Sequence, residues 1–160
     1  MLDVRRLVTP SVPMDEPQHN GPDLAFSEDT FFRDVERYLQ DGGDPHYVVP
    51  ENGRTLLHYA AEYLNAEAID SFCAAGLDVN ARDLWGQTPL LIAIDSEVDA
   101  ANQTGRPIDF NAARVLVANG ADLDAAATSG RTPLALVALY EVTSLFNELV
   151  LKTPRIRDVH

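Results

Sequence analysis

Apolar residues recur along the chain at the three- and four-residue spacing of amphipathic helices, in short runs separated by glycine-containing turns. The first run spans residues 27–40, and Ser27 is its expected N-cap. Its apolar face consists of Phe31, Phe32, Val35, Tyr38 and Leu39. Further runs predict helices near residues 55–63, 67–75 and 110–119. The pattern therefore predicts an all-α domain of short helices.

Two short phrases punctuate these helices, and each phrase occurs three times. The first begins with glycine and continues through threonine into small and apolar residues, at residues 53–61, 86–93 and 130–138. The second begins with glycine and has aspartate two positions later, at residues 42–46, 76–80 and 120–124. Corresponding glycines lie 33 or 34 residues apart between the first two copies and 44 apart between the last two. A period of this length indicates a repeat array, and the longer second interval indicates an insertion.

Threonine and glycine mark the predicted ends of the helices. Threonine accepts a hydrogen bond at an N-cap and proline suits the first helical position, so first helices should start after Thr88 and Thr132. Glycine adopts the left-handed conformation without a Cβ penalty, which suits the end of a helix. Second helices are predicted to end at Gly42, Gly76 and Gly120. The residues that follow, 76–86 and 120–130, have the length of a hairpin-like connection.

These phrases resemble the signature of the ankyrin-repeat family, G-x-T-P-L-H-x-A-A followed by G-A-D-x-N-A. The resemblance implies a solenoid of stacked helix-turn-helix units joined by hairpin loops, with three repeats after a truncated N-terminal capping unit. Leu56 departs from the family pattern, which has proline there. His58 occupies the position of a histidine that hydrogen-bonds within the repeat corner. His58 and Glu62 could also present two metal ligands, but no other histidine or cysteine is placed to complete a site.

The predicted array spans residues 26–152, between a flexible leader at residues 1–25 and a tail at residues 153–160. The leader contains four prolines and little helical periodicity. The third repeat is predicted to have a first helix after Thr132 and a second helix after that. The apolar residues of that second helix are Leu145, Phe146, Leu149 and Val150.

The insertion falls in the second repeat, at about residues 97–107. Residues 102–105 form its expected loop tip, and Asp109 is the expected N-cap of the following helix. Alanine-rich sequence before the tip suggests that the two helices lengthen and that a loop joins them. The segment is either a tolerated loop, since an extension at an exposed turn costs little free energy, or a functional protrusion.

No residue pattern indicates catalysis, since the chain lacks the signature of a nucleophile beside a base, a metal cluster or a phosphate-binding loop. We therefore predict a non-enzyme with no catalytic residue, cofactor or metal site. Cys73 is the only cysteine and cannot form an internal disulfide, which favours a cytoplasmic location. No apolar run reaches the length of a membrane span.

Acidic residues outnumber basic residues by 25 to 12, which gives a formal net charge of −13. This charge opposes binding to nucleic-acid phosphates or to an anionic membrane. It either serves solubility or steers a basic protein partner toward the surface.

The family resemblance places partner contacts at the hairpin tips and on the exposed side of each first helix. The implied tip residues are Glu51, Asn52, Arg54, Leu84, Trp85, Gln87, Thr128, Ser129 and Arg131. The implied helix residues are Glu62, Tyr63, Asp95, Ser96, Leu139 and Tyr140. Trp85 is either an exposed apolar anchor or a ring folded onto a neighbouring hairpin.

Two functions fit this sequence. The first is an inhibitor or immunity-type protein that neutralises a basic toxin or enzyme by binding it, and that is monomeric when free. The alternative is a scaffold or adaptor within a regulatory protein assembly.

Overall fold

The computed structural model describes residues 28–140, which contain six helices. They are α1 (Glu28–Gln40), α2 (Leu56–Glu62), α3 (Ala66–Ala74), α4 (Pro89–Thr104), α5 (Asn111–Ala118) and α6 (Pro133–Leu139). The chain divides into two compact units, residues 1–44 and residues 45–160. The first unit contains α1 and the second contains the other five helices.

Several predicted features lie outside the described residues. They are the leader at residues 1–25, the N-cap Ser27, the second helix of the third repeat and the tail at residues 153–160.

Helix α1 matches the first predicted run of apolar residues. Phe31 and Val35 are buried, and the rings of Phe31 and Phe32 meet edge to face with centroids 4.8 Å apart. The helix ends as predicted at Gly42, whose φ is 88°. The next N–H, that of Gly43, donates to the carbonyl of Tyr38 at 2.9 Å and closes the helix end.

The second unit is a stack of helix pairs. Helix α2 packs on α3 within the first repeat, and α4 packs on α5 within the second. First helices contact first helices, from α2 to α4 to α6, and second helices contact each other, α3 to α5. The side chains between these layers are fully buried; they include Leu56, Leu57, Ile69, Leu90, Leu91, Ile94, Phe110 and Leu116. Each such side chain contributes roughly 1.5–3 kcal/mol on burial, so each pair depends on its neighbours for stability. The predicted all-helical solenoid is confirmed.

The predicted helix boundaries follow local backbone chemistry. Thr88 Oγ1 accepts from the Leu91 N–H at 3.4 Å, and Thr132 Oγ1 accepts from the Ala135 N–H at 3.1 Å. Proline follows each of these threonines at the first helical position. At the other ends, Gly76 and Gly120 have φ values of 93° and 94°, the left-handed conformation of a residue that terminates an α-helix.

The insertion in the second repeat differs from the prediction. Residues 102–104, expected in a loop tip, are the last turn of α4, and only Gly105 of that tip lies outside the helix. Gly105 ends the helix at φ 68°, and its N–H donates to the Ala101 carbonyl at 2.7 Å. The segment stays helical because Val98 and Glu97 are buried on one face, which extends the packing beyond Ile94.

Only the first helix of this repeat is long. Helix α4 has 16 residues against 7 in α2, whereas α5 has 8 residues against 9 in α3. The expectation that the two helices lengthen is therefore wrong for the second helix. At 1.5 Å per residue, α4 is roughly 13 Å longer than α2.

The start of α5 also differs from the prediction. Phe110, and not Asp109, is its N-cap residue, with φ 53°. Phe110 is fully buried, so its burial holds the backbone in this conformation. Asp109 Oδ1 accepts from the Asn111 N–H at 3.0 Å and supports the turn from one position earlier.

Candidate functional site

Three hairpin loops precede the first helices and are closed in the same way. The N–H of Val49, Asp83 or Ala127 donates to a carbonyl across the loop, that of Arg54, Gln87 or Arg131, at distances of 2.8, 3.0 and 2.9 Å. A glycine with positive φ completes each turn; these are Gly53, Gly86 and Gly130. The glycine phrase of the sequence therefore marks the hairpin tips.

Neighbouring tips are joined by backbone hydrogen bonds. The Leu84 N–H donates to the Asn52 carbonyl at 3.0 Å, and the Thr128 N–H donates to the Trp85 carbonyl at 2.9 Å. The tips approach so closely that a Cβ on Gly86 would lie 2.9 Å from the Thr128 nitrogen. The hairpin tips of the three repeats thus form one continuous row rather than three separate loops.

The tip of the second repeat presents the largest apolar side chains. Leu84 is 65% exposed and Trp85 is 54% exposed. More than half of the surface of each of these two residues is therefore open to a partner. Leu139, predicted as a contact on α6, is 70% exposed.

Asp83 organises this tip, and the sequence reasoning missed it. Its Oδ1 accepts from the N–H groups of Trp85 and Gln87, each at 2.9 Å. Its Oδ2 forms an ion pair with Arg54 Nε at 3.5 Å, a separation too long for a hydrogen bond of good geometry. An aspartate at the first position of a turn that ends in glycine, Asp83 to Gly86, is the signal that could have identified it.

Two predicted arginines pair with predicted carboxylates. Arg54 Nη1 donates to Glu62 Oε2 at 3.0 Å, within the first repeat. Arg131 Nη2 donates to Asp95 Oδ1 at 2.7 Å and links the third tip to the second repeat's first helix. Two of the acidic contact positions are therefore partly neutralised. Because these pairs are partly exposed, each contributes at most about 1 kcal/mol to stability.

The remaining predicted contact residues differ in exposure. Glu51 and Ser129 are exposed at the tips. Ser96 is half-buried on α4, and Tyr63 and Tyr140 are half-buried at the C-terminal ends of α2 and α6. These three residues present less surface to a partner than the exposed tip residues do.

His58 has the structural role that the family resemblance implied. Its Nδ1 accepts from the Thr55 N–H at 3.1 Å and lies 2.9 Å from Thr55 Oγ1. Its Nε2 lies 3.0 Å from the Gln87 carbonyl, to which it donates in the tautomer that this network requires. The imidazole thus helps to hold the start of α2, which lacks the family's proline at Leu56, and it ties the first repeat to the second. Burial lowers the pKa of His58.

Further links between repeats were also missed by the sequence reasoning. The Asn80 side-chain amide donates to the Gly120 carbonyl at 3.3 Å, and Asn80 Oδ1 accepts from the Asp122 N–H at 2.7 Å. Arg82 Nη1 donates to the carbonyls of Gly86 and Ala126. These side chains hold the second hairpin against the third.

No group of three or more histidine, cysteine, aspartate or glutamate side chains within residues 28–140 could hold a metal ion. None of the helices in this part of the chain is long and apolar enough to cross a membrane. The geometry of the second unit is that of a tandem helical-repeat array with a continuous row of hairpin tips.

A family model described as "Ankyrin repeats (3 copies)" matches residues 25–103. The chain is 31% identical over 124 residues to the neurogenic locus notch homolog protein 1 of Xenopus laevis, covering 77% of this chain. It is 30% identical over 117 residues to the human protein of the same name, covering 72% of this chain. The match to the neurogenic locus Notch protein of Drosophila melanogaster is 26% over 175 residues, covering 94% of this chain. The chain spans only 4%, 4% and 6% of these three relatives.

The chain therefore belongs to the ankyrin-repeat family, whose arrays are non-enzymatic protein–protein interaction modules.

Proposed function

We propose that this array binds one basic protein along its row of hairpin tips, with Leu84 and Trp85 as the apolar centre of the contact. The observation that carries the proposal is the exposed Leu84–Trp85 pair, 65% and 54% exposed, on a backbone-bonded row of tips. Exposed aromatic rings on a rigid support are typical binding anchors, because little conformational entropy is lost when they are covered.

The rigidity of the tip supports an anchor role for Trp85. Its N–H donates to Asp83 Oδ1 and its carbonyl accepts from Thr128, so its backbone is fixed on two sides. Leu84 is fixed similarly by the Asn52 carbonyl. A partner that covers these side chains need not order the loop first, which favours affinity.

The net charge of −13 supports a basic partner. Glu62 and Asp95 are paired with arginines, so the local acidity of the contact surface is smaller than its carboxylates suggest. The charge should therefore act mainly at long range, by accelerating encounter rather than by slowing release.

The specific role that we propose is inhibition of the immunity type, in which the bound partner is a basic toxin or enzyme. The array would act in the cytoplasm and be monomeric until it meets that partner. The alternative is a scaffold or adaptor role. It is favoured by the similarity to segments that are 4% of much longer relatives, where a repeat array is one part of a larger protein.

The test is isolation of the partner, followed by binding kinetics with Trp85→Ala. We expect this change to weaken binding by about 2 kcal/mol or more while the melting temperature stays the same. Val117→Ala on α5, within the layer of second helices, is the matched control and should bind normally. Raising the salt concentration should slow association more than it speeds dissociation.

An acidic partner, or a basic partner indifferent to Trp85 and to salt, would contradict the proposed surface. If a bound enzyme keeps its full activity, the inhibitor role is wrong and the adaptor role remains.

A further inference from the structure

The outer end of the third repeat is exposed at positions that are covered in the first two repeats. The residues three and six positions after the N-cap threonine of each first helix are, in chain order, His58 and Ala61, Leu91 and Ile94, and Ala135 and Ala138. The first four are at most 2% exposed, and the His58 imidazole bonds to Gln87 of the next repeat. Ala135 and Ala138 are exposed, and the following residue, Leu139, is 70% exposed. Because the outer face of a repeat array is normally polar, these apolar residues indicate a surface that another segment covers.

The third hairpin tip is open at the equivalent place. On the first tip, the Leu84 nitrogen lies 3.0 Å from the position of a Cβ on Gly53, and the Leu84 N–H donates to the carbonyl of Asn52, the residue before that glycine. The second tip holds the third in the same way. Among the described residues, no atom lies within 4 Å of a Cβ on Gly130, and no N–H donates to the Ser129 carbonyl. The third tip therefore offers the glycine and the backbone acceptor with which each earlier tip holds its neighbour.

A later part of the sequence matches the segment that lies on the first tip. Arg54 of that tip pairs with Asp83 of the segment, with Nε and Oδ2 3.5 Å apart. The third tip has arginine at the equivalent position, Arg131, and Asp158 follows it after 27 residues, close to the 29 residues between Arg54 and Asp83. The two aspartates occur in the similar sequences Arg-Asp-Leu and Arg-Asp-Val. The second tip has glutamine in place of the arginine, and the segment that lies on it has alanine in place of the aspartate. The arginine and the aspartate thus occur together or not at all.

We propose that residues 157–159, which lie outside the described part of the chain, bind the third hairpin tip as residues 82–84 bind the first. In this arrangement the Val159 N–H donates to the Ser129 carbonyl beside Gly130. The segment continues the row of tips by one step and covers the exposed end of the third repeat.

The charged groups of the third tip fit this arrangement. Arg131 pairs with Asp95 through Nη2. Its Nε corresponds to the atom with which Arg54 faces Asp83. Asp158 pairs with Arg131 on this side, so one guanidinium serves two carboxylates.

Charge and covalent linkage favour this segment over a second copy of the chain. Two copies each carry a net charge of −13 and repel each other. Residues 153–160 contain Arg155 and Arg157 against Asp158 alone, so the acidic array attracts them. Covalent linkage gives the segment an effective concentration on the order of millimolar at the third tip, so that weak contacts suffice.

This binding does not depend on the proposed protein contact. That contact has Leu84 and Trp85 of the second tip at its centre, whereas the segment binds the outer side of the third tip. The proposal can therefore be tested on the chain alone, whatever the partner proves to be.

The experiment is amide hydrogen exchange of the full chain, followed for each residue by NMR. We expect the Val159 N–H to exchange at least about tenfold more slowly than in a synthetic peptide of residues 153–160, because a hydrogen-bonded amide exchanges only when the bond opens. Exchange of Val159 at the rate of the peptide would overturn the proposal.

Gly130→Ala tests where the segment binds, because it places a methyl group where the geometry of Gly53 puts the incoming backbone. It should remove the protection of Val159. Gly105→Ala is the matched control, since Gly105 also has positive φ and open surroundings among the described residues but lies at the end of α4. This control should leave Val159 protected, and thermal melts of both variants establish that the fold is retained. Protection that persists in Gly130→Ala would contradict binding at the third tip.

Sedimentation of the natural chain distinguishes the possible occupants of the third repeat's end. The proposal requires a monomer in which the protection of Val159 is independent of protein concentration. A dimer whose Ala135 and Ala138 amide signals shift with concentration would overturn it in favour of a second copy. A monomer with an unprotected Val159 would overturn it as well and would leave the surface open to a partner protein.

Discussion

The first and second repeats each bury an ionisable side chain whose pKa is shifted by burial, and these two groups, His58 and Glu97, respond to pH in opposite directions. His58 joins the start of α2 to the second hairpin, and Glu97 joins α4 to the start of α5. Burial favours the neutral form of each, so it lowers the pKa of His58 and raises that of Glu97 to about 7.

The consequences for stability follow from which state binds more protons. Below its unfolded pKa of about 6.5, His58 takes up a proton more readily in the unfolded chain, so acid removes its contribution. Glu97 holds its proton more readily in the folded chain, so its contribution is complete at low pH and is lost as the pH rises toward 7. The first repeat is thus destabilised by acid and the second by base, although each repeat is a pair of packed helices.

The largest expected effect is loss of the His58 corner. His58→Ala removes the hydrogen bonds to Thr55 and to the Gln87 carbonyl and leaves a cavity at a fully buried position. We expect a loss of about 3 kcal/mol in the free energy of unfolding, measured by urea denaturation at pH 7.5. His46→Ala, at an exposed position, should change it by less than about 0.5 kcal/mol. Similar losses for the two variants would show that the corner is not structural.

A smaller effect is expected from neutralising Glu97. Glu97→Gln should be nearly as stable as the natural chain at pH 5, where Glu97 is protonated when folded. Between pH 5 and pH 8 the variant should gain about 2 kcal/mol in the free energy of unfolding relative to the natural chain. The reason is that the natural chain loses stability as buried Glu97 ionises, whereas glutamine has no proton to lose. The measurement is the difference between the two urea unfolding curves at each pH. A difference that stays constant with pH would contradict the raised pKa.

The smallest effect is the acid limb of His58. As the pH falls below about 6.5, the stability advantage of the natural chain over His58→Ala should shrink, by at most about 1.4 kcal/mol per pH unit. Asp83 opposes the lowered pKa of His58, and Arg54 supports it. A stability advantage that grows on acidification would mean that His58 binds its proton more tightly in the folded chain than in the unfolded chain. Burial would then not be the dominant influence on the pKa of His58.

Much of the repeat could be predicted from sequence because its ends are set by nearby residues. Thr88 and Thr132 cap helices within three residues of themselves, and Gly76 and Gly120 end helices through their own φ angles. The position of Trp85 at a hairpin tip was implied by the family resemblance, but its exposure was left open and was decided only by the structure. The predicted contact set remains a hypothesis, since only a bound partner can test it.

The insertion was predicted less well, because its conformation depends on burial rather than on local signals. Gly105 was recognised as a turn residue, but the residues before it remain helical where Val98 and Glu97 are buried. Asp109 looked like an N-cap, yet burial of Phe110 moved the helix start by one position. The donor near the start of α5 is satisfied by Glu97, 15 residues earlier in the chain.

The sequence by itself determined the repeat, its helix starts and ends, and the hairpins, since caps, proline and left-handed glycine act over a few residues. Tertiary structure alone decided which side chains meet across repeats. The Arg54–Asp83 and Arg131–Asp95 pairs join residues 29 and 36 positions apart, and the bonds from Asn80 reach the next turn 40 or more residues away. The unpartnered oxygen of Glu97 belongs to the same group, because a buried acceptor is recognised only after packing has removed water and placed its neighbours.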